Sequence, residues 1–341
     1  MNTPNPPFFS STAPVPGRVF RADGPAAASP GLIRIGTRGS RLALTQTTTV
    51  AEAVAAATGS DVALVIITTH GDVSRESLAQ LGGTGVFVSA LREALLAGEC
   101  DLAVHSLKDL PTGPCAGIET GAIPVRADAR DALCARDGLD LATLPVGAHV
   151  GTGSPRRAAQ LSSVRPDLHV HDLRGNVDTR LGRVGVDLDA VVLAAAGLDR
   201  SGLDAAITER FGLDGVPTAP GQGALAIECR AADLGAEPYA TAFEALDHAE
   251  TRACAVAERA LLAALEAGCA APVGATATLV GDRLTLRAVV YRLDGSSKLG
   301  VEVDGAWTHG DRVLPVDLGR AAAQDLLARG AAELAPLGGA R

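Results

Sequence analysis

The stretches Ile35-Gly36-Thr37-Arg38-Gly39-Ser40-Arg41 and Val150-Gly151-Thr152-Gly153-Ser154-Pro155-Arg156-Arg157 follow one plan. In each, an apolar segment runs into Gly-Thr, then serine and arginine, then a segment with helical spacing. Ser154 followed by Pro155 reads as an N-cap and first helical position. A strand that stops where a capped helix starts is the unit of an open α/β sheet, whose C-terminal edge collects ligands. Two such units predict two similar α/β domains, each presenting a helix N-terminus and arginines at that edge.

Working outward, the pattern predicts a strand at 32–36, a helix at 41–57, strands at 62–68 and 101–105, and a helix at 86–97. Around the second unit it predicts a strand at 148–150, a helix at 155–163, a strand at 168–173, a helix at 176–184 and a strand at 189–194. This alternation implies mostly parallel sheets covered by helices on both faces. After about residue 246 the texture changes. A helix over 248–266 is followed by alternating segments at 275–280, 283–292 and 299–303, with turn signals at Asp282 and Asp294-Gly295. A last helix over 316–334 completes a small α+β domain with an antiparallel sheet. Residues 1–30, rich in Pro, Ala and Ser without apolar period, read as a disordered leader.

Composition narrows the function. The 341 residues carry a net charge of −9, which argues against a general nucleic-acid binder. Of the 30 basic residues only Lys108 and Lys298 are lysines. The six cysteines form no CxxC and no zinc-like cluster with His, so no metal site is expected. No secretory signal or membrane-spanning run is evident, and a reducing, cytoplasmic setting follows.

Three arginine clusters lie at equivalent strand ends: Arg38 with Ser40, Arg156 with Arg157, and Arg174 with Arg180. Each alone fits a solvated rim; together they suggest a cleft for a ligand with several carboxylates or phosphates. No Walker pattern is present, since Gly82-Gly83-Thr84-Gly85 lacks its Lys-Ser/Thr pair. Strand 101–105 runs into Lys108-Asp109, where a carboxylate could assist a leaving group or face a cation. Neighbouring surface charges are the plainer reading. His70 is a weaker candidate. In Glu266-Ala267-Gly268-Cys269, Gly268 fits the position after a helix end and puts Cys269 on a loop. That thiol is either a small packing residue or, near a cationic cleft, a nucleophile.

The segments GTRGSRLALTQ (36–46), THGD (69–72), AVHSLKDLPT (103–112), GSPRRAAQL (153–161), LRGNVDTRL (173–181), APGQGALAIECR (219–230) and EAGCAAPVG (266–274) resemble, in this order, the porphobilinogen deaminase (hydroxymethylbilane synthase) family. The resemblance spans roughly residues 32–335. It implies a transferase of tetrapyrrole and haem biosynthesis that joins four porphobilinogen units, releasing ammonia at each addition and linear hydroxymethylbilane at the end. The chain grows on a dipyrromethane cofactor held covalently by a loop cysteine, here Cys269. The resemblance makes Asp109 the catalytic residue. Lys108, Thr152, Ser154, Arg156, Arg157 and Arg180 become cofactor contacts, and Arg38, Ser40, Gln46, Phe87, Arg174 and Arg200 substrate contacts. Residues 73–83 become a lid. Many relatives carry Lys at the position of Thr84 and another basic residue at that of Ser89, so this chain departs from the pattern there.

The resemblance also implies the layout: two lobes like those of periplasmic binding proteins, plus the third domain. Domain 1 is then 31–124 with 223–244, domain 2 is 128–218, and domain 3 is 246–341. Crossings fall near 124–128 and 218–224. A monomer with neither nucleic-acid nor membrane partners is expected. The alternative from another class is a non-enzymatic two-lobed binding protein for a polycarboxylate, which would need neither Cys269 nor Asp109.

Overall fold

The computed structural model describes residues 16–22, 24–67, 85–268 and 271–337, with the side chains of 85–87 outside the description. The first sheet contains β1 (Val19–Arg21), β2 (Leu32–Thr37), β3 (Asp61–Ile66), β4 (Leu102–Ser106), β5 (Ile118–Ala122) and, from far along the chain, β11 (Leu225–Arg230). Its order is β1-β3-β2-β4-β11-β5. Helix α1 (Arg41–Thr58) covers one face, where Val50 and Val54 meet Ile33, Ile35, Leu102, Val104 and Ile227. Helix α2 (Gly85–Leu96) covers the other, with Leu91 and Leu95 against Val65 and Ala103. Near-continuous apolar strands are what burial on both faces requires.

The second sheet has β6 (Asp131–Ala135), β7 (His149–Thr152), β8 (His169–Asp172), β9 (Ala190–Ala194) and β10 (Glu209–Arg210), in the order β10-β6-β9-β7-β8. Helices α3 (Pro155–Val164), α4 (Val177–Leu181) and α5 (Ala195–Arg200) surround it. Leu161 packs with Val150 and Val192 on one face, and Leu198 with Val191 and Leu193 on the other. The chain crosses from the first sheet to the second between Ala122 and Asp131 and returns between Arg210 and Leu225. Helix α6 (Tyr239–Leu246) then rejoins the first sheet's core through Ala242 and Phe243. In the last unit α7 (Ala249–Ala264) and α8 (Leu314–Ala328) cover an antiparallel sheet of β12 (Val273–Val280), β13 (Arg283–Tyr291) and β14 (Lys298–Ala306). Leu261, Leu286, Val290 and Leu326 lie in its core. A short helix α9 (Ala331–Leu334) follows. No helix among the described residues is long and apolar enough to cross a membrane.

Several local expectations need correction. Val19–Arg21, expected in a disordered leader, pairs in parallel with β3 at the sheet edge, and Arg18 pins it through Asp61 at 2.6 Å. Parallel pairing holds within β1–β4 and β7–β9, but β11 and β6 run antiparallel to their neighbours. Both follow a crossing, so each enters its sheet from the opposite end. The helix expected over 176–184 closes after Leu181, and the one expected over 316–334 is interrupted at Gly330, whose φ is 90°. Helix α7 stops at Ala264 rather than Glu266, and the left-handed residue after it is Glu266 itself (φ 48°), not Gly268. Ala267 N–H bonds back to Leu262 O at 3.2 Å, so a Schellman-type closure forms without glycine.

Candidate active site

The site forms where strands of the two sheets stop. Inner strand β4 ends at Ser106, and Leu107 turns into the core with its N–H on Ala224 O at 3.0 Å. The tight turn Leu107–Asp109 carries Lys108 and Asp109 past the sheet edge. After β2, the Ser40 hydroxyl accepts the Ala43 N–H and caps α1. Two turns on, buried Gln46 accepts a hydrogen bond from Ser106 Oγ at 3.4 Å.

In the opposing domain β7 ends at Thr152, and Ser154 caps α3 by accepting the Arg157 N–H at 3.4 Å. Strand β9 runs directly into α5, which ends on Arg200. Arg200 donates to Gly223 O at 2.8 Å, and Arg180 Nε donates to Gly175 O at 2.7 Å.

Between these edges lies a cleft of about 150 Å³. Gln46, Ser106, Lys108 and Asp109 line it from one domain and Arg157, Arg180 and Arg200 from the other. Among the described residues lining it, four cations therefore stand around one carboxylate. Burial pulls the Lys108 ammonium down to about 8, and Arg157 pushes the same way. Burial likewise lowers Arg157, Arg180 and Arg200, with Arg157 and Arg174 adding to the effect at Arg180. Arg157 depresses both Lys108 and Arg180, and cations so crowded favour an anionic ligand. Among the described residues none donates a hydrogen bond to the Asp109 carboxylate, which lines this cleft.

A second cavity, of about 410 Å³, is lined by Thr152, Ser154, His171 and Arg174. Arg174 Nε binds Asp172 Oδ2 there at 3.0 Å. A Cβ built on Gly153 would lie 3.8 Å from Arg180 Nη1, so the Arg180 guanidinium stands at the seam of the two cavities.

The sequence-predicted residues thus separate into groups. Gln46, Lys108, Asp109, Arg157, Arg180 and Arg200 come together, and Thr152, Ser154 and Arg174 form an adjoining wall. Arg156 does not join them. It is 3% exposed and spends Nη1 on Asp131 (2.7 Å), Gln160 (2.7 Å) and Pro217 O (3.1 Å). Consecutive helix residues point about 100° apart, so the Arg-Arg pair divides between the cleft and the interior. Arg38 is half-buried just after β2, and the Ser40 hydroxyl is used in the cap; neither lines the Asp109 cleft. Cys269, His70, Thr84 and the segment 73–83 lie outside the described residues, as does the side chain of Phe87.

Two residues escaped the sequence reading. Asp131 opens β6 with its carboxylate on both Arg156 and Arg157 at 2.7 Å, and those arginines hold it well below the usual range against the opposing effect of burial. Gln222 joins Asp131 Oδ1, Arg157 and Lys108. Gln222 lies within APGQGALAIECR (219–230), one of the segments that carry the resemblance, but the sequence reading gives it no role there.

Family models describing the porphobilinogen deaminase dipyromethane cofactor binding domain and the porphobilinogen deaminase C-terminal domain match residues 33–237 and 252–328. A porphobilinogen deaminase of Leifsonia xyli subsp. xyli is 60% identical, with 94% of this chain and 99% of that protein covered. One from Thermobifida fusca is 56% identical over 88% of this chain and 95% of its own length. Among solved structures, an ABC-transporter periplasmic substrate-binding protein from Coxiella burnetii aligns with 62% of this chain and 91% of its own at TM-score 0.40 and 15% identity. The high-identity relatives named here are enzymes, which disfavours a non-enzymatic binding protein.

Proposed function

The chain belongs to the porphobilinogen deaminase family, and we propose that its reaction turns on Asp109 in the cleft between domains 1 and 2. The enzyme is a transferase that condenses four porphobilinogen units, head to tail, into hydroxymethylbilane. Each addition breaks one C–N bond, releasing ammonia, and forms one C–C bond while the attacking pyrrole carbon loses its proton. The observation carrying our assignment is that, among the described residues lining the cleft, Asp109 is the single carboxylate beside Lys108, Arg157, Arg180 and Arg200.

The cations hold the acetate and propionate arms of porphobilinogen, placing its aminomethyl group against Asp109. The aminomethyl group reacts as its ammonium, which donates a hydrogen bond to the Asp109 carboxylate and leaves as neutral ammonia when the C–N bond breaks, and the carboxylate's negative charge opposes the cation left on the pyrrole methylene. Asp109 can then take up the proton released when the new bond rearomatises. Gln46 and Ser106, bonded to each other beside Asp109, supply neutral polar contacts that do not compete for the carboxylates.

The donor set also fits a dipyrromethane: the adjoining wall of Thr152, Ser154 and Arg174, joined to the cleft through Arg180, extends the carboxylate-binding surface by a second cavity. When attached, this group supplies the free pyrrole α-carbon to which each unit is added. Cys269 is the proposed anchor. Cys100, Cys134 and Cys229 are raised to about 11 and Cys254 to about 12, all chiefly by burial, so none is primed as a thiolate. Sulfur adds readily to an electron-poor methylene and leaves a thioether that resists hydrolysis.

The test pairs intact mass with turnover. Purified protein should carry the added mass of two pyrrole units, and Cys269→Ser should remove it. Asp109→Asn should keep the fold and lose roughly 10²–10⁴-fold in kcat. Near-normal turnover of porphobilinogen by Asp109→Asn would end the assignment of Asp109, and an unmodified, fully active chain would end that of Cys269.

A further inference from the structure

The return crossing contains Gly221-Gln222-Gly223, and its backbone is fixed from both sides. Gly221 and Gly223 have φ of 78° and 85°. A Cβ would come within 3.0 Å of Leu107 Cγ at the first and 2.7 Å of Ala127 O at the second. Gly221 N–H donates to Glu258 Oε2 at 2.7 Å, Gln222 O accepts from Arg126 Nε at 2.8 Å, and Gly223 O accepts from Arg200 at 2.8 Å. With both neighbours in the left-handed region and three bonds holding the peptide units, the backbone that carries Gln222 is fixed. It is 1% exposed.

Its amide meets both lobes. Nε2 donates to Ala129 O and Asp131 Oδ1, each at 2.8 Å. Oε1 accepts from Lys108 Nζ at 3.2 Å and from Arg157 Nη2 at 3.1 Å. A flipped amide would turn its NH₂ toward two cations and its oxygen toward a carboxylate and a carbonyl, so this orientation is the one the network allows. We propose that Gln222 is a positioning residue of the condensation: it holds Lys108 of one lobe against Arg157 of the other and so sets where the ammonium beside Asp109 stands. The proposal rests on reading the Asp109 cleft as the porphobilinogen site.

The choice of amide follows from the charges around Lys108. Arg157 and Arg156 face it from α3, Asp131 from β6 and Asp109 from its own turn, while Arg180 and Arg200 line the same cleft. A carboxylate at 222 would bind both cations but stand against Asp131 and cancel the field that draws in the substrate. An apolar residue would leave Lys108 and Arg157 without their shared acceptor, and the two like charges would move apart.

The chain's two lysines make the test clean. In holoenzyme labelled with ¹³C at lysine Cε, Lys108 and Lys298 give two titrating signals, and Lys298 serves as the exposed reference. Gln222→Glu is expected to raise the Lys108 midpoint by about one pH unit or more and move the alkaline limb of kcat with it. Gln222→Met is expected to lower kcat on the order of tenfold or more with a smaller change in KM, while Lys298 stays fixed in both. Gln222→Asn, which keeps the amide on a shorter stem, should lie between wild type and Met and replaces either variant that fails to fold. A Lys108 midpoint and a kcat profile unchanged in the folded variants would overturn the proposal. Wild-type holoenzyme that does not turn over porphobilinogen would instead overturn the function reading, because the lysine titration needs no turnover.

Discussion

Glu258 offers the sharpest test of how the three domains are held together. It sits on α7, 0% exposed, and four donors converge on its carboxylate. Oε1 accepts from Arg126 Nη1 at 2.7 Å and Ala277 N at 2.8 Å; Oε2 accepts from Arg126 Nη2 at 3.0 Å and Gly221 N at 2.7 Å. Arg126 belongs to the outgoing crossing, Gly221 to the returning one and Ala277 to β12, so one side chain joins all three domains. In Glu258→Gln one oxygen becomes NH₂, and either rotamer sets that NH₂ against two donors. Arg126 is also left buried without a counter-charge. Breaking a buried pair from one side costs about 3–5 kcal/mol. At about 2.1 cal/mol/K per residue, 341 residues melting together lower Tm by roughly 4–7 °C for that loss. A third domain that melts separately would fall several-fold further, because its entropy of unfolding is smaller. Calorimetry of the holoenzyme reads both outcomes. A transition within about 1 °C of wild type would refute the claim that this carboxylate ties the domains together.

Two further measurements probe the scaffold of the site. Burial would raise Glu228, yet the His105 imidazole 3.2 Å away and two hydrogen bonds from Arg92 overcome it and hold the carboxyl at about 2. Its folded value is depressed, so its stabilisation is complete above about 4.5 and is lost as pH falls toward 2, roughly 3 kcal/mol in all. Glu228→Gln should therefore lower Tm at neutral pH and flatten its decline between those limits; an unchanged acid limb would exclude Glu228 as its source. Gly223→Ala should cost about 1–2 kcal/mol from its positive φ alone, more from the approach to Ala127 O, and should lower kcat because Gly223 O holds Arg200. Wild-type Tm and kcat in that variant would show that the crossing tolerates a Cβ.

The fold was legible wherever the signal was local. Ser40 and Ser154 mark helix starts because a cap needs only its own next three residues, and both hydroxyls do accept the N–H three positions on. Strands β5 and β6 gave no such signal. They flank the outgoing crossing, are five residues each, and carry Gly121 and Asp131 where a periodic pattern would put apolar residues. Arg156 and Arg157 were indistinguishable in sequence because what separates them is the direction each takes from α3. Glu266 occupies a position that usually selects glycine, and its neighbours Leu265 and Ala267 are both buried in the third domain's core, a long-range contact that the loop's own sequence does not show.

Asp131 and Gln222 were illegible for a different reason: their meaning lies in the charge balance of two segments distant in the chain. One carboxylate, Asp131, is shared by Arg156 and Arg157. The pair of arginines is therefore half neutralised, and Arg157 keeps excess positive charge facing Lys108. A second carboxylate in place of Gln222 would complete the neutralisation and make the apoprotein easier to fold. The chain instead uses a neutral amide there and leaves Lys108, Arg157, Arg180 and Arg200 opposed to one another around the cleft. Within the lobes the ion pair with Asp131 offsets part of that crowding at Arg157, and Asp199 acts in the same sense at Arg200. If the Asp109 cleft is the porphobilinogen site we propose, a carboxylate-rich ligand supplies the remaining counter-charge, whereas an uncharged pyrrole would leave the four cations as unfavourably placed as before.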